Sequence, residues 1–467
     1  MNQHEESPEC LKEISFGQSL SIFVVTMSWL LLTILYWHAE PLIPLLTAAV
    51  FTGLMLMSFG MTWAQVESAL IRGVQSSVMP AILLVLIGIL IATWMMSGTV
   101  PTLLVYGTSW FQPQWFAFSA LVLTCLVSVC VGSSITTVGT FGVALVGMAS
   151  SMGLNPALVA GAVVSGACFG DKMSPLSDTT NFASAVAKVN MTAHIRNMTW
   201  TTVPAFLITS AAFLIFGHTT NQDVMQLTDM KAAMESAYHI HPMALLPLAI
   251  VLIAAILRVP IILTMLLGIS SGLIVTGLVQ TNWSATNWMQ VMLHGYQSNI
   301  TNEAIAAIVN RGGVMSMMWS ITLIATAFAF GGLLQHGGVI TALFKKIIAP
   351  IKRKESMVVS TGLSAIGVNL FTGEQYMSIL LPGQMFQAEY ERRGIPALTL
   401  SRTLEDCGTL VNPLIPWGVS GALMTAALGM SVLEYAPYAF FLLISPLCTF
   451  AFALLPGLKT RTLNNSN

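Results

Sequence analysis

The sequence predicts an all-α polytopic membrane protein, and three observations carry that expectation. Only 8% of the 467 residues are charged, against about 25% in soluble domains, while 55% are hydrophobic. Apolar runs near twenty residues recur along the chain, the length an α-helix needs to cross a hydrocarbon core of about 30 Å. Basic residues gather in a few of the segments between those runs, as they do on the cytoplasmic side of membrane proteins. So few charges cannot clothe a soluble fold of this length, and the abundance of apolar residues excludes a disordered chain. A formal net charge of −1 leaves no basic footprint for nucleic acid.

Taken in order, crossings are expected at about 16–37, 41–60, 79–97, 198–217, 242–259, 261–280, 314–336 and 435–456. Two further crossings, 154–190 and 395–430, are interrupted by Gly, Pro and charge and read as discontinuous helices. The apolar stretches 114–151 and 356–391 are broken at Gly132-Ser133-Ser134 and Gly373-Glu374-Gln375 and read as re-entrant hairpins. That makes about ten transmembrane helices and two hairpins. The cluster Lys345, Lys346, Lys352, Arg353, Lys354 is placed in the cytoplasm, and Arg392-Arg393 returns to the same side. Lys12, Arg72, Lys188, Arg196, Arg258, Lys459 and Arg461 then fall inside, and Lys231 and Arg311 outside. The expected organisation is a cytoplasmic tail (1–15), a first transmembrane half (16–217), an extracytoplasmic loop (218–241), a second half (242–456) and a cytoplasmic tail (457–467). Glu5, Glu6 and Glu9 occupy the place of a basic n-region, so no signal peptide is expected. The six cysteines lie in apolar sequence without metal-ligand spacing and read as small buried residues.

The halves resemble each other in order. Trp63-Ala64-Gln65-Val66 matches Trp288-Met289-Gln290-Val291, Arg72-Gly73 matches Arg311-Gly312, and Gly98-Thr99-Val100 matches Gly337-Gly338-Val339. Gly132, Gly142, Gly153 and Pro175 then match Gly373, Gly383, Gly394 and Pro416 without a gap. The stretch after Gly98 is uncharged, whereas the stretch after Gly337 carries the Lys345–Lys354 cluster, so the halves read as inverted. Inverted repeats with broken helices are a recurring build of secondary transporters, with the site where the breaks meet.

The densest polar motif is Gly170-Asp171-Lys172-Met173-Ser174-Pro175-Leu176-Ser177-Asp178-Thr179-Thr180-Asn181. Pro175 removes a helix donor and Gly170 loosens the preceding turn, freeing carbonyls beside hydroxyls and two carboxylates. Such an oxygen-rich nest suits a hard cation. Its partner runs from Ser401 to Trp417, with Pro413 and Pro416 breaking the helix, Glu405 and Asp406 before the break, and Asn412 where the repeat places Asp171. Glu374 sits at the second hairpin tip, opposite Ser133. A charge at mid-membrane costs about 2.5–3.5 kcal/mol on insertion scales, so Asp171, Asp178, Glu374 and Asp406 are candidates for taking either a proton or Na⁺. Plainer readings stand beside these: Lys172 neutralising Asp171, Arg402 neutralising Glu405 or Asp406, and Ser133, Ser134, Thr136 and Thr137 as helix-packing residues. Glu67, Glu303 and Glu434 read as solvated, and His194, His218, His239, His241 and His294 as loop or span-end residues.

The string GACFGDKMSPLSDTTN closely resembles the signature of the NhaC-type sodium/proton antiporter family, LSRTLEDCGTLVNPLIPWG resembles its second-half block, and TGEQYMSILLPGQMF its second hairpin. The resemblance covers essentially the whole chain. It implies a secondary antiporter of the bacterial cytoplasmic (inner) membrane, exchanging Na⁺ or Li⁺ for H⁺. Asp171, Ser174, Asp178, Thr179 and Asn181 are then the first-half ion-site candidates, and Glu405, Asp406, Thr409 and Asn412 the second-half ones, with Glu374 beside them. Relatives that couple Na⁺ and H⁺ to organic acids such as malate and lactate, or that carry amino acids, keep an organic substrate as the alternative, since the hairpin tips offer hydroxyls and amides. No cofactor is expected, and no enzyme motif such as His-Glu-x-x-His or Gly-x-Ser-x-Gly is present. The bilayer is the expected environment, and the sequence leaves a homo-oligomer open.

Overall fold

The computed structural model describes residues 14–110, 112–217, 224–257, 259–280, 284–298, 300, 306, 309–348 and 353–454, and every regular element among them is helical. The cytoplasmic placements of Lys12, Lys352, Lys459, Arg461 and Arg258, and the readings of Cys10, Glu303 and His218, lie outside the described residues.

The first half holds α1 (Phe16–Leu31), α2 (Leu42–Ser58), α3 (Trp63–Ser76), α4 (Val78–Met96), α5 (Thr99–Trp110) and α6 (Phe116–Val131). There follow α7 (Ser134–Thr137) and α8 (Val143–Ser151), joined by a π-helical turn at Val138–Gly142, then α9 (Pro156–Met173), α10 (Asp178–Val186) and α11 (Met191–Phe216). The connection between the halves carries α12 (Val224–Ala237), and the second half holds α13 (Leu246–Ile256), α14 (Ile261–Val279), α15 (Ala285–His294), α16 (Val314–His336), α17 (Val339–Ile348), α18 (Lys354–Thr372) and α19 (Gln375–Arg392). It ends with α20 (Ala397–Leu404), continued by a π-turn at Glu405–Thr409, then α21 (Val419–Leu428), α22 (Val432–Tyr435) and α23 (Phe440–Leu454). Small polar residues start these helices by accepting from N-terminal amides: Ser15 for α1, Thr62 for α3, Asn155 for α9, Ser177 for α10 and Asn190 for α11.

Among the described residues six helices are long and apolar enough to cross a membrane, or up to nine if each sharply bent pair counts as one span, against the ten crossings expected. The segment 61–78 lies between the expected crossings 41–60 and 79–97. It folds as α3, whose Gly73 touches Gly332 and the Phe328 carbonyl of α16, so this helix is docked on the bundle rather than looped out.

Both expected interruptions occur. α9 stops at Met173 and restarts at Asp178, and the second element breaks over residues 410–418 before α21. The hairpin tips are closed by glycines in the left-handed conformation, Gly132 at φ +70° and Gly373 at φ +65°, each amide donating to the carbonyl four residues back. α18 packs on α19, so the chain reverses at Gly373.

The repeat is written into the hydrogen bonds. Ser128 Oγ donates to the Ala167 carbonyl at 2.6 Å, and Asn369 Nδ2, at the corresponding position, donates to the Gly408 carbonyl. The Leu154 and Ile395 amides donate to Ala149 and Tyr390, closing identical glycine turns at Gly153 and Gly394. The Gly166–Leu121 contact that brings α9 against α6 recurs between Gly362 of α18 and Cys407. The glycine with positive φ that answers Gly98 is Gly338, one residue beyond the sequence match.

The tips sit against the breaks: a Cβ on Gly132 would lie 2.6 Å from Leu176 Cβ, and one on Gly373 would lie 2.7 Å from the Trp417 carbonyl oxygen. Gly373→Ala is therefore expected to destabilise the protein by about 2 kcal/mol or more, combining left-handed strain with a backbone clash. Gly338→Ala, with φ +74° and nothing within 4 Å, is expected to cost about 1 kcal/mol. Melting of the two purified variants checks the order.

Candidate functional site

The first break presents Asp171 on the last turn of α9. Its Oδ2 accepts from the Ser134 amide at 3.0 Å and the Ser134 hydroxyl at 2.7 Å, across the first hairpin. Its buried Oδ1 has no donor. Ser134, read from sequence as either a packing residue or a substrate contact, thus orients the acid. Ser174 is fully buried, donates to the Val129 carbonyl at 2.8 Å and pins the break to α6. Asn181 donates to the Pro175 and Ser177 carbonyls at 3.2 and 2.6 Å, so it satisfies carbonyls that the proline break leaves free.

Glu405 comes from the second half, at the start of the π-turn, and is fully buried. Thr179 of α10 donates to its Oε1 at 3.3 Å, and Oε2 has no donor. Asp171 and Lys172 both lie within electrostatic reach of this carboxylate. A π-turn shifts side chains out of the helical register and commonly marks a functional position; here it carries Glu405, Asp406 and Thr409 together. Thr409, 8% exposed, keeps its buried hydroxyl beside the Glu405 carboxylate.

Asp406 stands apart from these. Lys172 forms an ion pair with its Oδ1, joining the two halves. Ser445 donates to Oδ1 at 2.7 Å, Thr201 to Oδ2 at 2.9 Å, and Thr449 also donates to Oδ2. Every side of this carboxylate is occupied. The reading that Lys172 neutralises Asp171 is corrected: the ammonium reaches across to the acid of the opposite half. Arg402, 1% exposed, forms no ion pair among the described residues, so its proposed pairing with Glu405 or Asp406 is corrected as well.

Asp178 and Glu374 depart from the expectation of deep burial. Asp178 is exposed; its Oδ1 accepts from the Thr179 amide and its Oδ2 from the Tyr376 hydroxyl of the second hairpin. The Tyr376 ring meets Phe182 edge to face. Glu374 is half-buried and caps α19 by accepting from the Met377 amide at 2.7 Å. This mirrors Ser133, which caps α7 through the Thr136 amide. Asn412 is a clasp: it donates to Asn369 Oδ1 and the Gly373 carbonyl and accepts from the Ser420 amide at 2.8 Å, holding the second tip to the second break. A cavity of about 460 Å³, lined by Gly132, Ser133, Thr136, Pro175, Asp178 and Asn181 among others, opens beside the first break. His194, read as a span-end residue, is fully buried on α11.

Glu67 and Glu434 are exposed as expected, Glu434 within the capping box of α22. Cys125, Cys168 and Cys407 are buried, whereas Cys130 is exposed. Among the described residues no three His, Cys, Asp or Glu side chains converge as a metal centre requires. An ion held here would be met by one or two carboxylates with hydroxyl and carbonyl oxygens.

A multi-pass helical chain whose matched halves place broken helices and buried acids against one another has the build of a membrane transporter. A family model described as the Na⁺/H⁺ antiporter family matches residues 166–455. The chain is 45% identical over 448 residues to the Na(+)/H(+) antiporter NhaC of Alkalihalophilus pseudofirmus, covering 95% of this chain and 96% of that one. It is 43% identical over 439 residues to the NhaC of Bacillus subtilis, covering 93% and 97%, and 31% identical over 382 residues to a malate-2H(+)/Na(+)-lactate antiporter of Bacillus subtilis, covering 81% of each. The chain belongs to the Na⁺/H⁺ antiporter family and is of the NhaC type.

Proposed function

We propose that this protein exchanges Na⁺, or Li⁺ in its place, for H⁺ across the bacterial inner membrane by alternating access, with both termini cytoplasmic. The observation that carries the reading is a pair of carboxylates from opposite halves, Asp171 and Glu405, at the place where the helices break, each holding one buried oxygen outside hydrogen-bond geometry with the Ser177 and Thr409 hydroxyls near it. Two buried carboxylates in mutual reach cannot both stay charged and empty, because desolvation and repulsion act together. A proton on one, or Na⁺ between them with the hydroxyls of Thr179 and Thr409, relieves both. Occupancy by one excludes the other, and if only the occupied protein converts between inward- and outward-open forms, exchange is obligatory. Asp178 and Glu374, at the more exposed edge, receive the ion on its way in. Asp406 serves the ion only through its pairing with Lys172, which ties the halves together.

The test is the Na⁺-dependent collapse of a pH gradient in everted vesicles; no response at any pH from about 7 to 9 removes the reading. Competition also sets a pH dependence. Below the proton affinity of the pair, each unit of falling pH raises the apparent KM for Na⁺ by about tenfold, and above it KM levels off. An apparent KM that stays constant across pH, while the maximal rate alone changes, contradicts a shared site. Counterflow of labelled malate or lactate is expected to be absent; its presence would move the substrate to an organic anion.

A further inference from the structure

Two helices face each other across an interior stretch lined with polar groups that the exchange site does not use. On α11, His194, Asn197 and Thr201 follow one another at i, i+3 and i+7, which places them on one face. On α20 and its π-turn, Thr399, Arg402 and Asp406 follow at the same spacing. All six are at least nine-tenths buried, with Asn197 the most exposed at 9%. The helices are joined at two levels: His194 Nδ1 with the Ser401 hydroxyl at 2.9 Å, and the Thr201 hydroxyl with Asp406 Oδ2 at 2.9 Å. These levels are seven positions apart on α11, about 10 Å of helix.

Along that interval the buried atoms without partners are His194 Nε2, Asn197 Oδ1, Thr399 Oγ1, Arg402 Nε and Arg402 Nη1. Buried polar groups are rarely left so, and several together are resolved by ordered water. The donor and acceptor balance identifies water rather than an anion. Ser401 Oγ donates to the Leu398 carbonyl at 3.1 Å, so it accepts from His194 Nδ1–H, and Nε2 is left as a bare acceptor. Asn197 Oδ1 is a second acceptor, Arg402 supplies two donors, and Thr399 can act either way. An anion would require donors on every side. Three or four waters at hydrogen-bond spacing span the interval.

The geometry points to a buried file of water between α11 and α20 that brings protons to the Lys172–Asp406 pair, and through it to its chain neighbours Asp171 and Glu405, by a route separate from that of Na⁺. This inference rests on the exchange reading above. Among the described residues no carboxylate lies between His194 and Asp406 to hold Na⁺. The charged and titratable groups facing it are Lys172 from α9, Asp406 and Arg402, and the Tyr390 phenol from α19. Before it moves on to the Asp171–Glu405 site, a proton passed along the file rests as an O–H bond on Asp406. The Thr201 hydroxyl then turns from donor to acceptor, the carboxylate becomes neutral, and Lys172 loses its counter-ion. That weakens the bond between the halves, and the reverse transfer restores it. The entrance lies at the first turn of α11, beside Asn190 and Lys188.

The test uses the full-length protein in proteoliposomes, with Asn197→Leu and Thr399→Val combined. Two fluxes of radiolabelled Na⁺ are measured: uptake driven by a pH gradient, and Na⁺/Na⁺ exchange without one. The ratio of the first to the second is expected to fall roughly tenfold or more relative to the unaltered protein; an unchanged ratio overturns the file. Na⁺/Na⁺ exchange by the unaltered protein reports on the Na⁺ carrier reading by itself, so the two failures are distinguishable. Should the double variant fail to accumulate, radiolytic hydroxyl labelling of the unaltered protein decides. Met198 and Tyr390, buried beside the stripes, are expected to label as water-contacting side chains do, and their protection overturns the proposal.

Discussion

Asp171→Asn is expected to abolish Na⁺-dependent proton movement, lowering it by about a hundredfold or more. The substitution removes the charge that Na⁺ or H⁺ neutralises and keeps the shape of the side chain. An amide oxygen still accepts from the Ser134 amide and hydroxyl, so the latch to the first hairpin survives. Loss of a desolvated charge partner is worth about 3 kcal/mol, which is about a hundredfold in occupancy. The protein should fold and purify as before, within about 1 kcal/mol. Thermal melting in detergent separates binding from folding. The unaltered protein should melt higher as Na⁺ is raised, by mass action on the occupied form, and the Asn variant should not respond. A variant that still gains stability with Na⁺ would move the ion away from Asp171. Glu405→Gln is expected to behave alike, because its Oε1 keeps the Thr179 bond.

The second large effect concerns the buried ion pair. Lys172→Met or Asp406→Leu alone leaves an unpaired charge among groups that are 0% exposed, which should destabilise the protein by about 3–5 kcal/mol. The double variant Lys172→Met with Asp406→Leu removes both charges and should recover most of that loss, because a buried pair contributes little beyond an apolar replacement of similar volume. Monodisperse yield on size exclusion and the melting midpoint measure it. The double variant is nevertheless expected to exchange poorly, since the bond between the halves would no longer respond to a proton. Stability of either single variant equal to that of the unaltered protein would show that the pair does not tie the halves together.

Much of the architecture was legible along the chain because it is imposed by local chemistry. Gly132 and Gly373 adopt positive φ, a conformation that glycine reaches freely and that a repeat of glycines announces. Pro175, Pro413 and Pro416 lack an amide hydrogen, so the helices break near them wherever they are packed. Membrane length and composition mark the long apolar helices without reference to neighbours. That Glu374 caps α19 and that Asn412 clasps the second hairpin leave no composition signal. Tyr376, Thr201, Ser445 and Thr449 give no signal as small or amphipathic residues in apolar helices, although Ser445 and Thr449 at i, i+4 on one face point to a shared buried partner.

By itself, the sequence determined the class: a helical membrane chain, doubled in register, with acids at both interruptions and the signature of the Na⁺/H⁺ antiporters. Only the tertiary structure decided which acid each cation meets. Lys172 and Asp406 are 234 residues apart, and no local pattern says that they face each other rather than their neighbours. It also decided that Asp178 is exposed, that Asp171 and Glu405 keep a free oxygen, and that His194 lies deep in the protein. The physical reason is that backbone conformation follows from a few adjacent residues, whereas the burial and pairing of a charge follow from how distant helices pack.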